Sequence, residues 1–145
     1  MRINKKKFIY LISPNKIYPE FYRDLNQVVR AGKVGLFQLR LKKYSLKQKI
    51  VIGKKIQRIC KKNNIKFIVN DDPILSKTLN ADGCHLGQKD MDIKNARKII
   101  GKKIIGVTCH NSIKLAKAAI KENADYIAFG AFFSTKTKKV NYQLS

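Results

Sequence analysis

Acidic side chains are what this sequence lacks most: nine Asp and Glu stand against thirty-two Lys and Arg, for a net charge of +23. That imbalance makes any gathering of carboxylates something to explain. Cysteine is also scarce. Cys60, Cys84 and Cys109 form an odd set without C-x-x-C spacing, which argues against a disulfide framework and fits a reducing cytoplasm. Long apolar runs are missing, since nothing approaches the roughly eighteen uninterrupted residues of a membrane span. The opening "MRINKKKFIYLISPNK" has a basic front, but its apolar part is only "FIYLI", closed by Ser13-Pro14 without a small-residue cleavage pattern. It reads as a first strand of a soluble chain. At 145 residues the expectation is a single domain.

The charge is broad. Lys far exceeds Arg, Ile and Asn are abundant, and the basic pairs at 42, 54, 61 and 102 are scattered with no interleaved aromatics. Solvated helix faces, encoded by an AT-rich gene, account for this better than a nucleic-acid interface, which leaves weak polyanion attraction as a by-product of the field. Two Cys-His pairs, Cys84-His85 and Cys109-His110, raise the question of zinc. Neighbours on a strand point to opposite faces, so each pair could offer one ligand only to a common site.

Read for period, short β-rich runs alternate with helical spacing. The expected strands are "FIYLI" at 8–12, "LFQLR" at 36–40, "KFIVN" at 66–70, "GCHL" at 83–86, "IIGVT" at 104–108 and "YIAFG" at 126–130. Ser45 is placed to cap a helix running to about Asn63, Asp92 to cap "IKNARKII" with Gly101 as its stop, and Asn111 or Ser112 to cap "IKLAKAAIKE". Such βα repeats build parallel sheets. A Rossmann unit would need G-x-G-x-x-G where "SPNK" stands, and "GCHLGQKD" has the wrong spacing for a P-loop. Polar residues recur instead at strand C-termini, the face on which a (β/α) barrel carries its active site. The expected class is α/β, a TIM barrel.

"VNDDPILSKTLNADGCHLGQKD" holds four aspartates. Asp71 and Asp90, from successive strand ends, can converge on a hard cation such as Mg²⁺, which takes oxygen ligands and shares its shell with water and phosphate. Arg40, Lys42 and Lys138 supply the positive charge that a diphosphate needs. The plainer role is capping, expected for one of Asp71 and Asp72 ahead of "PILSKTL" and for Asp92 ahead of α-helical "IKNARKII".

"FQLRLK", the aspartate segment just quoted, "IIGVTCHN" and "ADYIAFGAFFSTKTK" resemble, in order and spacing, the strand-end motifs of the thiamine phosphate synthase family, whose barrel is shared by a thiazole tautomerase branch. The resemblance runs from about Phe8 to Lys139. It implies a transferase of thiamine biosynthesis that joins an aminopyrimidine methyl diphosphate to a thiazole phosphate with release of pyrophosphate. By the same resemblance, Gln38, Arg40, Lys42 and Asn70 match the diphosphate grip, and Asp71 and Asp90 match the Mg²⁺ ligands. Thr108 stands where the family has a pyrimidine-side Ser, while Thr135, Thr137 and Lys138 match the thiazole and diphosphate loop; Arg40, Lys42 and Lys138 are the catalytic cations. Intact "GQKD" favours the synthase over the tautomerase branch, and His110 fits either.

Asp72 replaces the Arg common after "ND" in that family, and the sequence ends after the sixth strand, about two βα units short of eight. The expectation is thus an incomplete barrel of about six units, with open sheet edges able to pair copies into a homo-oligomer. Its expected partners are the two small substrates, with neither membrane nor nucleic acid. The alternative is a non-catalytic or degenerate (β/α) module that binds phosphate or nucleic acid through its charge.

Overall fold

Ser45, Asp72, Asp92 and Ser112 each start a helix in the same way: the side-chain oxygen accepts a hydrogen bond from the backbone N–H three residues on, satisfying one of the donors that a helix start leaves orphaned. Ser45 goes further, since the Gln48 side chain reaches back to the Ser45 N–H to complete a capping box. These caps punctuate the chain as the periodicity predicts. The computed structural model describes residues 6–131, and it divides into two compact units, Met1–Val69 and Asn70–Ser145.

In the first unit, β1 (Ile9–Ile12) and β2 (Val34–Leu39) are parallel with a bulge at Ile9/Tyr10, and β2 runs parallel to β3 (Lys66–Asn70). The connections are α1 (Phe21–Arg30) and α2 (Leu46–Lys62). No side chain caps α1, whose N-cap is Glu20, and so no local signal announces it. Its buried stripe Phe21, Leu25 and Val29 has helical spacing. Phe37 and Phe67, paired in register on β2 and β3, stack 6.4 Å apart at 13°.

In the second unit, α3 (Pro73–Thr78), α4 (Ile93–Ile100) and α5 (Ile113–Lys121) alternate with β4 (Gly83–Leu86), β5 (Ile104–Thr108) and β6 (Tyr126–Ala128). β4 and β6 both lie parallel to β5. Cys84, Leu86, Ile105 and Val107 join Ile93, Ala96, Ile100, Ala116 and Ala119 in one apolar cluster. Strand alternation sends the residues between them, His85, Gly106 and Thr108, to the other face. The two faces therefore separate core from chemistry.

Arg97 on α4 ties the bottom of this unit together. Its guanidinium donates to the carbonyls of Gly101, Lys103 and Asn123 and to Asp125 Oδ2 at 2.8 Å. The same carboxylate oxygen accepts the Ile105 N–H at 2.8 Å. The start of β6 is thus pinned to the start of β5.

Candidate active site

In the first unit the polar residues at the end of β2 are held by the loop after β1. Ser13 Oγ accepts the Arg40 N–H at 2.8 Å and donates to the Arg40 carbonyl at 3.2 Å. Arg40 Nη1 donates to Asn15 Oδ1 at 2.9 Å, and the Lys42 N–H donates to the Asn15 carbonyl at 3.1 Å. Gln38 is buried, its Nε2 donating to the Tyr10 hydroxyl at 2.9 Å. Arg40 is half-buried and Lys42 exposed, so one guanidinium edge is oriented while a flexible ammonium stands beside it in sequence. That combination suits an anion with several oxygens.

The second unit carries the carboxylates. Asp71 follows β3 with φ +63°, a left-handed conformation that Asp tolerates better than most residues. Its N–H donates to the His85 carbonyl at 2.8 Å, which sets the exposed Asp71 beside the end of β4. Asp72 faces away as the α3 cap, its Oδ1 taking the Leu75 N–H at 2.9 Å. Asp90 closes a turn after β4: its Oδ2 accepts the Gly87 N–H at 2.7 Å. A Cβ on residue 87 would lie 2.8 Å from that Oδ2, so glycine suits the turn. Asp92 caps α4. Carboxylate oxygens such as those of Asp71 and Asp90 are the donor type that suits Mg²⁺. Among the described residues no group of three or more His, Cys, Asp or Glu converges.

Across β4, β5 and β6 runs a hydrogen-bonded chain that the sequence pattern did not announce. His85, 7% exposed, has Nε2 at 2.7 Å from Thr108 Oγ1 and Nδ1 at 2.9 Å from the Tyr126 hydroxyl. The His85 and Tyr126 rings are stacked, 5.5 Å apart at 29°. A neutral imidazole has one donor and one acceptor nitrogen, so one hydroxyl donates to the ring and the other accepts from it. Gln88 Nε2 caps the row by donating to the Thr108 carbonyl at 2.7 Å. A histidine inside the apolar strand "GCHL" was the available signal; it drew attention only as half of a Cys-His pair. Its neighbour Cys84 lies in the core, its thiol pushed up to about 12 by burial, with Arg97 opposing and Asp72 adding to the rise. Burial also raises the Cys109 thiol. Neither is a nucleophile at neutral pH.

Asn70 is half-buried at the end of β3, and the half-buried His110 has φ +52° and a carbonyl that accepts the Gly130 N–H at 3.1 Å. Thr135, Thr137 and Lys138 lie outside the described residues.

The family model described as thiamine monophosphate synthase matches residues 9–145. The chain belongs to that family. It is 63% identical to the thiamine-phosphate synthase of Pelagibacter ubique over 149 aligned residues, covering all of this chain and 72% of the relative. The corresponding protein of Erythrobacter litoralis is 43% identical, over 90% of this chain and 62% of its own length. Among solved structures, thiamine phosphate pyrophosphorylase from Pyrococcus furiosus superposes with a TM-score of 0.78 at 30% identity, covering 90% of this chain and 62% of that one. The chain thus spans roughly three-fifths to three-quarters of the length of these members of the thiamine monophosphate synthase family. The fold is the α/β (β/α)-barrel class expected from the βα repeat, with six strands among the described residues.

Proposed function

We propose that this chain carries the thiamine phosphate synthase reaction: an aminopyrimidine methyl diphosphate loses pyrophosphate, and the freed methylene is captured by the ring nitrogen of a thiazole phosphate. The observation that carries the reading is the junction of Asp71 with His85. The backbones of the two residues are hydrogen-bonded there, and the His85 imidazole is itself bonded to the Thr108 hydroxyl, so a residue with oxygen donors for a cation adjoins a polar ring within one unit.

In this reading the His85–Thr108 pair and Tyr126 hold the pyrimidine through hydroxyl and imidazole hydrogen bonds, with Asn70 and Gln88 flanking. Asp71 and Asp90 would hold Mg²⁺, which supplies charge neutralisation to the departing diphosphate. The family resemblance assigns Arg40 and Lys42 to the diphosphate as positive charge, and Thr135, Thr137 and Lys138 to the thiazole phosphate and the leaving group. As the C–O bond breaks, its electron pair leaves with pyrophosphate. The lone pair on the thiazole nitrogen then forms the new C–N bond. Because charge moves onto the leaving group, stabilising it lowers the barrier more than any nucleophile from the protein would. The substrates are small molecules, and no described helix is long and apolar enough to cross a membrane.

Calorimetry with inorganic pyrophosphate, with and without Mg²⁺, tests the site on wild type, Asp71→Asn and Asp90→Asn; formation of thiamine phosphate from both substrates tests the reaction. Metal-dependent binding that weakens about tenfold or more in each variant is expected, at a cost near 1.4 kcal/mol. Binding that ignores both aspartates and falls steeply with salt would overturn the reading in favour of charge-driven polyanion binding.

A further inference from the structure

His85, Gly106 and Tyr126 are consecutive partners across β4, β5 and β6: His85 pairs with Gly106, and Gly106 pairs with Tyr126. Neighbouring strands lie about 4.8 Å apart, so the backbones of His85 and Tyr126 are roughly 10 Å apart, with one residue between them. Their side chains nevertheless meet at 2.9 Å. The phenol ring achieves this by lying across β5, in the space where a side chain of residue 106 would stand. A Cβ built on Gly106 would fall 1.9 Å from Tyr126 Cζ, 2.3 Å from Cε2 and 2.4 Å from Cε1.

We propose that Gly106 is a positioning residue, whose missing side chain forms the slot that seats the Tyr126 ring and delivers its hydroxyl to His85. The inference deepens the proposed pyrimidine surface, and rests on that reading only for its consequence in the reaction. Gly83 provides the contrast within the same pair of strands. A Cβ there would fall 2.1 Å from the backbone carbonyl oxygen of Ile104, an obstacle that cannot move without parting β4 from β5. At Gly106 the obstacle is the far end of one half-buried ring, which can swing away about its own Cα–Cβ bond. A methyl group at 106 therefore removes a hydrogen bond while leaving the sheet intact. His85 then loses the Tyr126 hydroxyl at Nδ1 while the Thr108 bond at Nε2 remains, a change to which imidazole tautomer and ring nitrogen signals respond.

The experiment uses the full chain without substrate or metal, so its outcome does not depend on whether the reaction proposal holds. His85 and His110 are the only histidines in the sequence, and nitrogen NMR of the labelled imidazoles resolves them with His110→Gln as the assignment control. Gly106→Ala is expected to move the His85 nitrogen signals in the direction and to the extent seen in Tyr126→Phe, with a urea midpoint lowered no further than in that variant. In a Tyr126→Ala background, where the slot is empty, Gly106→Ala is expected to change nothing further. If Gly106→Ala fails to fold while the Gly106→Ala, Tyr126→Ala double variant folds, the clash with the ring is again the cause and the proposal stands. Wild-type His85 signals in Gly106→Ala would overturn it, as would loss of folding in both the single and the double variant.

Discussion

Thr108 Oγ1 lies 2.7 Å from His85 Nε2, joining β5 to β4 through side chains two residues beyond the Gly106 rung of the ladder. Here a buried imidazole nitrogen finds its partner, so the hydroxyl matters more than the residue that carries it. Thr108→Ser should retain the affinity for the aminopyrimidine diphosphate. Thr108→Val should lower it by about tenfold and destabilise the fold by about 1–2 kcal/mol through the unsatisfied nitrogen. Calorimetry and urea titration of the two variants decide it, and equal affinity in both would discard a binding role for this hydroxyl.

Arg40 owes its orientation to Asn15, which holds Nη1 by its side chain and the Lys42 N–H by its carbonyl. Removing the side-chain hold in Asn15→Ala frees the guanidinium without removing its charge. Pyrophosphate affinity should drop about three- to tenfold, and Arg40→Lys should cost at least as much because the planar fork is lost. If Asn15→Ala binds as wild type does, the loop after β1 is not part of the anion grip.

Gly83→Ala should destabilise the chain by about 3 kcal/mol, the upper part of the range for forced overpacking, because the added carbon meets the Ile104 carbonyl. Gly106→Ala should cost less, about 1–2 kcal/mol, the range for a buried imidazole that loses one hydroxyl partner. Urea denaturation of both variants tests the ranking, and a reversal would show that the strand ladder yields more readily than the ring.

Cys60, Cys84 and Cys109 are all buried, and at pH 8 none should react with a thiol reagent until denaturant is added, when all three should. Cys84 also makes stability depend on alkali. Its pKa rises from 9.0 to about 12 on folding, so the unfolded chain gives up that proton first. The stabilisation is complete below about pH 9 and is lost as pH climbs toward 12. A Cys84→Ala variant should show a flatter decline over that window; an unchanged slope would exclude the thiol as its source.

Much of this molecule was legible because its signals are local. Ser45, Asp72, Asp92 and Ser112 cap the helices that follow them, and the runs at 66–70, 83–86 and 104–108 are β3, β4 and β5 to the residue, since a cap or an apolar strand is specified by neighbours in the chain. α1 was the exception, having a helical stripe but no capping side chain. The polar strand ends Gln38, Arg40, Asn70, Asp71, Asp90 and Thr108 could be singled out as candidates by their position after apolar runs.

What the sequence by itself determined, then, is the order of βα repeats and which polar residues stand at strand ends, because periodicity and capping act within a few residues. Only the tertiary structure decided which of those residues touch. His85 meets Thr108 across 23 positions and Tyr126 across 41, and Arg97 reaches Asp125 across 28. Those contacts follow from strand register, which aligns His85, Gly106 and Tyr126 in one row; a strand's own pattern specifies its buried face but not the rung on which its neighbour is paired.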